Sequence, residues 1–238
     1  MAAFRLEVKS YPKGKAEPRS RYINRHGLQR DTDLVARGHF NMPTFATERP
    51  RLFWSAADKH ERSNGSAGRG ITISLPNVLS DEQNVRLTER LAHQIAGPRP
   101  CEFVVHRPMG SISGKDHPHA HIIISDRGLD GIDRPAERFF SRANSKDPAA
   151  GGARKLSGGK TSKEMALQLG QTKAEVASII NETLAESGFA ERVDHRSNRE
   201  RGILKAPEKR LHPAAIRQLS EQDRQVLLRG RGKSTTRE

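Results

Sequence analysis

The sequence predicts an α+β fold: a central, mainly antiparallel sheet with flanking helices and a basic C-terminal extension. Three observations predict it. Alternating apolar and polar residues at Phe4-Arg5-Leu6-Glu7-Val8-Lys9 and Ile71-Thr72-Ile73-Ser74-Leu75 have the period of half-buried strands. A well-capped helical stretch follows the second of these, between Ser80 and Gly97. Two short apolar runs then meet histidines, Phe103-Val104-Val105-His106 and His119-Ala120-His121-Ile122-Ile123-Ile124, and a Gly/Ser-rich loop joins them. Neighbouring strands have that form.

Taken in order, the strand at 4–9 runs into a basic turn, Tyr11-Pro12-Lys13-Gly14-Lys15. A short helix from about Pro18 to His26 stops at Gly27 and carries Tyr22 mid-way. Residues 28–68 are rich in charge and turn formers, and yield one helix, Leu52 to Arg62, ahead of Asn64-Gly65. Pro76 closes the strand at 71–75. Ser80 and Asp81 open a helix through Val85, Leu87, Leu91 and Ile95, and Gly97-Pro98 ends it. The histidine strands fall at 101–106 and 119–125. Residues 134–162 carry many Arg, Lys and Gly with little periodicity and read as a mobile basic segment. Ser162 to Ser187 is helical again, ended by Gly188, and beyond Pro207 a basic tail holds one helical patch, Ala214 to Leu228. The expected organisation is one domain over 1–205 and a tail over 206–238.

Length and composition bound the function. A chain of 238 residues is long enough for a proper core, although only 34% of it is hydrophobic and 29% is charged. Lysine and arginine exceed aspartate and glutamate by 42 to 28, a net charge of +14. That balance favours an anionic polymer as partner, because neutralised phosphates release their counterions. A single cysteine, Cys101, excludes an internal disulfide framework and suits a reducing compartment, with burial as its expected role. The N-terminus lacks an apolar leader core, and no apolar run reaches membrane-spanning length, so no membrane insertion and a cytoplasmic location are expected.

The chemistry centres on the histidines. Residues two apart in a strand share a face, so His119 and His121 project together while Ala120, Ile122 and Ile124 point the other way. If the two runs pair, His106 completes a cluster of three imidazoles able to hold a divalent first-row ion and leave positions open. The donor set does not choose between zinc and manganese. His117 shares the face in an ideal strand, but Pro118 marks the strand entrance, leaving His117 a reserve ligand or a phosphate contact. An open metal beside a nucleic acid would act on a non-bridging phosphate oxygen. Metal-bound water would then give hydrolysis, whereas a tyrosine would give a covalent phosphotyrosine that conserves the broken bond's energy. Only Tyr11, in a turn, and Tyr22, on a helix beside Arg19, Arg21 and Arg25, are present. Positive neighbours at Tyr22 stabilise negative charge and gather a phosphate backbone.

The order of these motifs resembles the MobA/MobL family of plasmid mobilization relaxases. The likeness rests on Tyr22-Ile23 before Gly27, on His106 with His119-Ala120-His121, and on Val193-Asp194-His195-Arg196-Ser197 with Gly202-Ile203. Gly38-His39, Met42-Pro43, Trp54, Ala57-Asp58, Glu61-Arg62, Asn64-Gly65, Leu75-Pro76 and the run from Ser125-Asp126-Arg127 to Asp133-Arg134 add to it. It covers roughly residues 1–205 and is nearest to relaxases of IncQ-type plasmids. The resemblance implies an HUH-type single-strand endonuclease and transesterase, with Tyr22 as nucleophile and His106, His119 and His121 as metal ligands. Manganese or magnesium is the implied ion, with zinc also compatible. The implied acidic helper near the tyrosine or metal is Asp31 or Asp33, with Asp33 preferred; on the strand before Leu75-Pro76, where IncQ-like relatives carry acids, this chain departs with Gly70 and Thr72. The implied partners are the single strand of an origin of transfer, accessory mobilization proteins and a type IV secretion coupling protein. Arginines of 134–162 and of the final helix would track the DNA backbone, and Phe139 and Phe140 would either stack on bases or join the core. The alternatives are a related HUH replication initiator or transposase, a water-using metal hydrolase, and a non-catalytic DNA-binding module.

Overall fold

The computed structural model describes residues 4–27, 33–110, 112, 114–156, 158, 161–204, 211 and 213–232. Five strands form one sheet, β1 (Leu6–Pro12), β2 (Leu34–Phe40), β3 (Ser66–Ser74), β4 (Cys101–His106) and β5 (His119–Ile124). Their order is β1-β3-β5-β4-β2, and every neighbouring pair is antiparallel. The two histidine strands pair at the centre with His106 opposite His119 and Val104 opposite His121. That register puts three imidazoles on one patch of one face.

The helices divide between the two faces. On one side α3 (Asp81–Ala96) and α5 (Ser162–Glu186) cover Ile71, Ile73, Phe103, Val105, Ala120, Ile122 and Ile124. The α3 start is held by a capping box, Ser80 with Gln83, as its sequence suggests. On the other side α1 (Ala16–Ile23), α2 (Pro50–His60) and the short α4 (Ala136–Phe139) pack over Ala67, Val104 and Ile123. The histidines lie on this second face, next to α1. Two further helices, α6 (Pro213–Gln218) and α7 (Glu221–Gly232), follow the body of the fold.

Two expectations are corrected and one open alternative is decided. The stretch 28–68 holds an edge strand, β2, besides its helix. The 134–162 segment is not a loose basic strip: Phe139, Phe140, Ala153 and Arg134 are buried in it. Phe139 and Phe140 pack in the core against Phe53, edge-on and tilted, at 5.7 and 5.2 Å between ring centroids. They are core residues and not a platform for bases. The arginines there serve the fold as well. Arg134 pairs with Asp130 at 2.6 Å and donates to the carbonyls of Gly151 and Pro148. Arg127, ahead of the segment, donates to both carboxylate oxygens of Glu61 at 3.0 Å each and to the segment's carbonyls at Phe140, Ser141 and Ala153.

Candidate active site

Tyr22 lies in the last turn of α1, and the backbone beside it is tied to the sheet. The carbonyl of Ile23 accepts a 2.7 Å hydrogen bond from His106 Nε2, so the histidine on β4 fixes the end of the helix. A second tie comes from below. Glu102, one strand turn before Val104 on the same face, accepts from Ser20 Oγ at 2.8 Å and Asn24 Nδ2 at 2.8 Å. Trp54 of α2 donates its indole N–H to the same carboxyl at 2.7 Å. Glu102 is buried with no ion-pair partner among the described residues, and burial pushes its carboxyl up despite those three donors. One side chain thus holds α1, α2 and β4 together around the tyrosine.

The phenol ring of Tyr22 is half exposed and sits between two arginines. The guanidinium carbons of Arg19 and Arg25 stand 5.1 and 5.5 Å from its centroid. Both guanidiniums also reach the histidines, Arg25 Nη2 at 2.8 Å from His106 Nδ1 and Arg19 Nη2 at 3.2 Å from His121 Nδ1. The nucleophile expected from sequence therefore lies next to the imidazole cluster, with two cations bridging them. Arg25 has φ of +57°, a conformation that costs a non-glycine residue about 1 kcal/mol or more and turns the chain back toward the sheet.

The three rings form a tight group, with centroids 5.6 Å apart for His106 and His119, 5.5 Å for His106 and His121, and 4.8 Å for His119 and His121. All three are held below the usual imidazole range by burial first; Arg25 adds to this at His106, and neighbouring imidazoles and arginines add to it at His119 and His121, the last lowered to about 2. They are neutral at physiological pH, the form that ligates a metal. His119 is oriented as a ligand: its Nδ1–H donates to the carbonyl of His117 at 2.9 Å, which turns Nε2 outward. His117 acts here through its backbone. The other two rings are engaged differently. Arginine can only donate, so Arg25 and Arg19 occupy the Nδ1 lone pairs of His106 and His121. Among the described residues no three His, Cys, Asp or Glu side chains converge as a metal cage. The residue types suit a divalent ion; the side-chain positions do not yet form its cage.

Asp33 joins the site, but through the arginine. Its carboxylate takes two bonds from Arg25, at 3.0 and 2.6 Å, and stands 3.4 Å from His106 Nδ1. Burial pushes this carboxyl up, but Arg25 and His106 outweigh it and keep it below the usual carboxylate range. No hydrogen bond joins it to Tyr22 among the described residues. Asp31, the other candidate, lies outside the described residues. Thr72 of β3 bonds His121 Nδ1 through its hydroxyl at 3.0 Å. Gly70 on that strand lies beneath Tyr11, whose hydroxyl would meet an added Cβ at 2.0 Å. Thr72 and Glu102 were not legible as site residues, since their roles depend on which strands and helices become neighbours. A groove of about 720 Å³ leads away from His119 and His121 past Arg19, Arg5 and Lys9.

This architecture is shared by a solved structure described as the molecular basis of vancomycin resistance transfer in Staphylococcus aureus. The two superpose with a TM-score of 0.57 at 18% identity, over 82% of this chain and 100% of the other. Sequence relatives are nearer. The 43 kDa relaxation protein of Salmonella typhimurium is 39% identical over 210 residues, 85% of this chain and 56% of its own length. Mobilization protein A of Escherichia coli is 34% identical over 225 residues, 91% of this chain and 30% of its own length. The chain thus spans about half and about a third of these two proteins. The MobA/MobL family pattern matches residues 2–221, nearly the whole of the sequence. The chain belongs to the MobA/MobL family.

Proposed function

We propose that this chain nicks and rejoins one strand of DNA at a plasmid origin of transfer, with Tyr22 as the nucleophile. The observation that carries the reading is the pair of arginines, each touching both the Tyr22 ring and a histidine of the cluster. A phosphate diester placed between them meets the phenol on one side and the imidazoles on the other.

In this reading Arg19 and Arg25 bind the non-bridging oxygens, where charge develops as the phosphorus becomes five-coordinate. Tyr22 Oη forms the new bond to phosphorus, and the 3′-oxygen leaves with the electron pair of the bond that breaks. The phenol proton passes to solvent and the departing oxygen takes one up. The products are a 5′-phosphotyrosyl link and a free 3′-hydroxyl, and attack by such a hydroxyl reverses the step. Bond energy is conserved throughout, so no external energy source is required for resealing. Ile23, tied to His106, and Ser20 and Asn24, tied to Glu102, hold the phenol in line. Positioning of this kind is worth up to about 7–11 kcal/mol of a barrier. A divalent ion, manganese or magnesium in the first instance, held by His106, His119 and His121 would supply Lewis acidity at a phosphate oxygen. Asp33 holds Arg25 in place and so serves the site as a positioning residue. Residues 1–205 supply this unit, and the basic stretch 206–238 adds phosphate contacts. Accessory mobilization proteins and a secretion coupling protein fit the same reading as partners.

The test is strand transfer. The full chain is incubated with a labelled single strand containing an origin of transfer, with and without manganese, beside a replication-origin strand. The reading expects a covalent protein–DNA adduct and a joined recombinant strand on the first DNA only. Cleavage to free ends without an adduct would replace it with water-driven hydrolysis, and preference for the second DNA would make the chain a replication initiator.

A further inference from the structure

The contacts of Arg19 and Arg25 carry a consequence beyond phosphate binding. Both nitrogens of His106 are engaged, Nε2 with the Ile23 carbonyl and Nδ1 with Arg25. His121 is held at Nδ1 by Arg19 and Thr72. His119 differs: its Nδ1 is directed to the carbonyl of His117, and among the described residues no guanidinium bonds its ring. A dication and a guanidinium cannot share one imidazole lone pair, and their charges repel. We propose that Arg25 and Arg19 are displaceable latches on His106 and His121, which a strand phosphate draws off, so that DNA and a divalent cation bind cooperatively. The proposal rests on the nicking reading only in taking the phosphate from a DNA strand.

The two latches differ in strength. Arg25 is backed by Asp33 through two hydrogen bonds and is only 14% exposed at its side chain. Arg19 has no carboxylate partner among the described residues. Arg19 therefore releases first, and His121 is freed before His106. Both guanidiniums already lie against the Tyr22 ring, so the move required of each is a short swing and not a helix rearrangement. By linkage, whatever the phosphate does for the cation, the cation does for the phosphate in equal measure.

The test reads metal affinity rather than nicking. Free manganese is measured by electron paramagnetic resonance during titration of the full chain, alone and with oligothymidylate, against a DNA-only blank. Without DNA, Arg25→Ala combined with Asp33→Asn should tighten manganese binding roughly tenfold, the scale of one charge-assisted hydrogen bond. The Asp33→Asn change prevents a freed carboxylate from acting as a new ligand. Arg19→Gln should tighten it by a few-fold, while Arg51→Ala, which removes one charge from α2, should leave it unchanged. In the wild-type chain oligothymidylate should raise manganese affinity, and in the variant lacking both latches that increase should vanish. Unchanged or weaker manganese binding in the latch variants, or no effect of DNA on the wild type, overturns the proposal. Should the Arg25 variant fail to fold, Arg19→Gln alone decides. A covalent adduct at Tyr22 with no such coupling would leave the nicking reading standing and remove only this one.

Discussion

Replacing Arg127 with leucine is expected to destabilise the fold severely, and its contacts set the scale. All five N–H groups of its guanidinium are used. Nε and Nη2 bond Glu61 at 3.0 Å each, Nη1 bonds the carbonyls of Ser141 and Ala153 at 2.8 and 2.6 Å, and Nη2 bonds that of Phe140 at 2.6 Å. The side chains of Arg127 and Glu61 are 4% and 2% exposed. Removing the arginine leaves the Glu61 carboxylate with Lys155 at 3.2 Å and the Arg62 amide. Breaking one side of a buried pair costs about 3–5 kcal/mol, because the other charge stays behind in a dry site. The three stranded carbonyls add to that, so about 3 kcal/mol is the floor. Against a total stability of about 5–15 kcal/mol, this is a large share. The segment from Ser125 to Lys155 would come away from the core, and with it the Phe139 and Phe140 contacts under α2. Urea unfolding followed by circular dichroism measures the loss. Changing Glu61 and Arg127 together to leucine should cost less than Arg127→Leu alone, since the buried carboxylate goes with the arginine and the partly exposed Lys155 keeps the carbonyl of Ser66. A cost below about 1 kcal/mol for Arg127→Leu would refute the reasoning, since a buried pair cannot be cut so cheaply.

Other expectations follow from the same contacts. Arg127 and Lys155 hold the Glu61 carboxyl below its ordinary value despite its burial, so its stabilising contribution is present above the unfolded value of about 4.3 and is lost as pH falls through the folded value. Urea midpoints of the wild-type chain should drop over that acid range, and Arg127→Leu should flatten the drop. Gly38→Ala should cost about 1–3 kcal/mol, because its Cβ would lie 2.4 Å from the buried Phe103 ring; a thermal melt matching the wild type would contradict this. Trp54→Phe removes the indole N–H from Glu102 and should cost about 1–3 kcal/mol by urea unfolding, with weaker adduct formation at Tyr22 as α1 loosens.

The sequence made some features readable and hid others for identifiable reasons. The central strands, α3 and the histidine face follow from period-two and period-3.6 patterns, and the pairing of His106 with His119 bears out the expected neighbour relation. Strand β2, Leu-Val-Ala-Arg-Gly-His-Phe, escaped because it sits at a sheet edge and its pattern does not alternate cleanly. The 134–162 segment looked loose because its order comes from arginine side chains bonded to backbone carbonyls, which leaves no periodic trace. The grouping of Tyr22 with Arg19, Arg21 and Arg25 was legible in the sequence. Their contact with the imidazoles was not, since it depends on how α1 crosses β4 and β5. Glu102 was hidden for a related reason: a lone acid in an apolar strand looks misplaced until Ser20, Asn24 and Trp54 come to it.

The most direct measurement is a denaturing gel of the full chain with labelled origin-of-transfer single strand and manganese, comparing wild type with Tyr22→Phe. The wild type should give a labelled band that migrates with the protein and disappears on protease treatment. Tyr22→Phe should give none while still shifting the same DNA in a native gel. An adduct of undiminished yield in Tyr22→Phe would contradict the assignment of the nucleophile, and with it the reading of the arginine–histidine site built around that phenol.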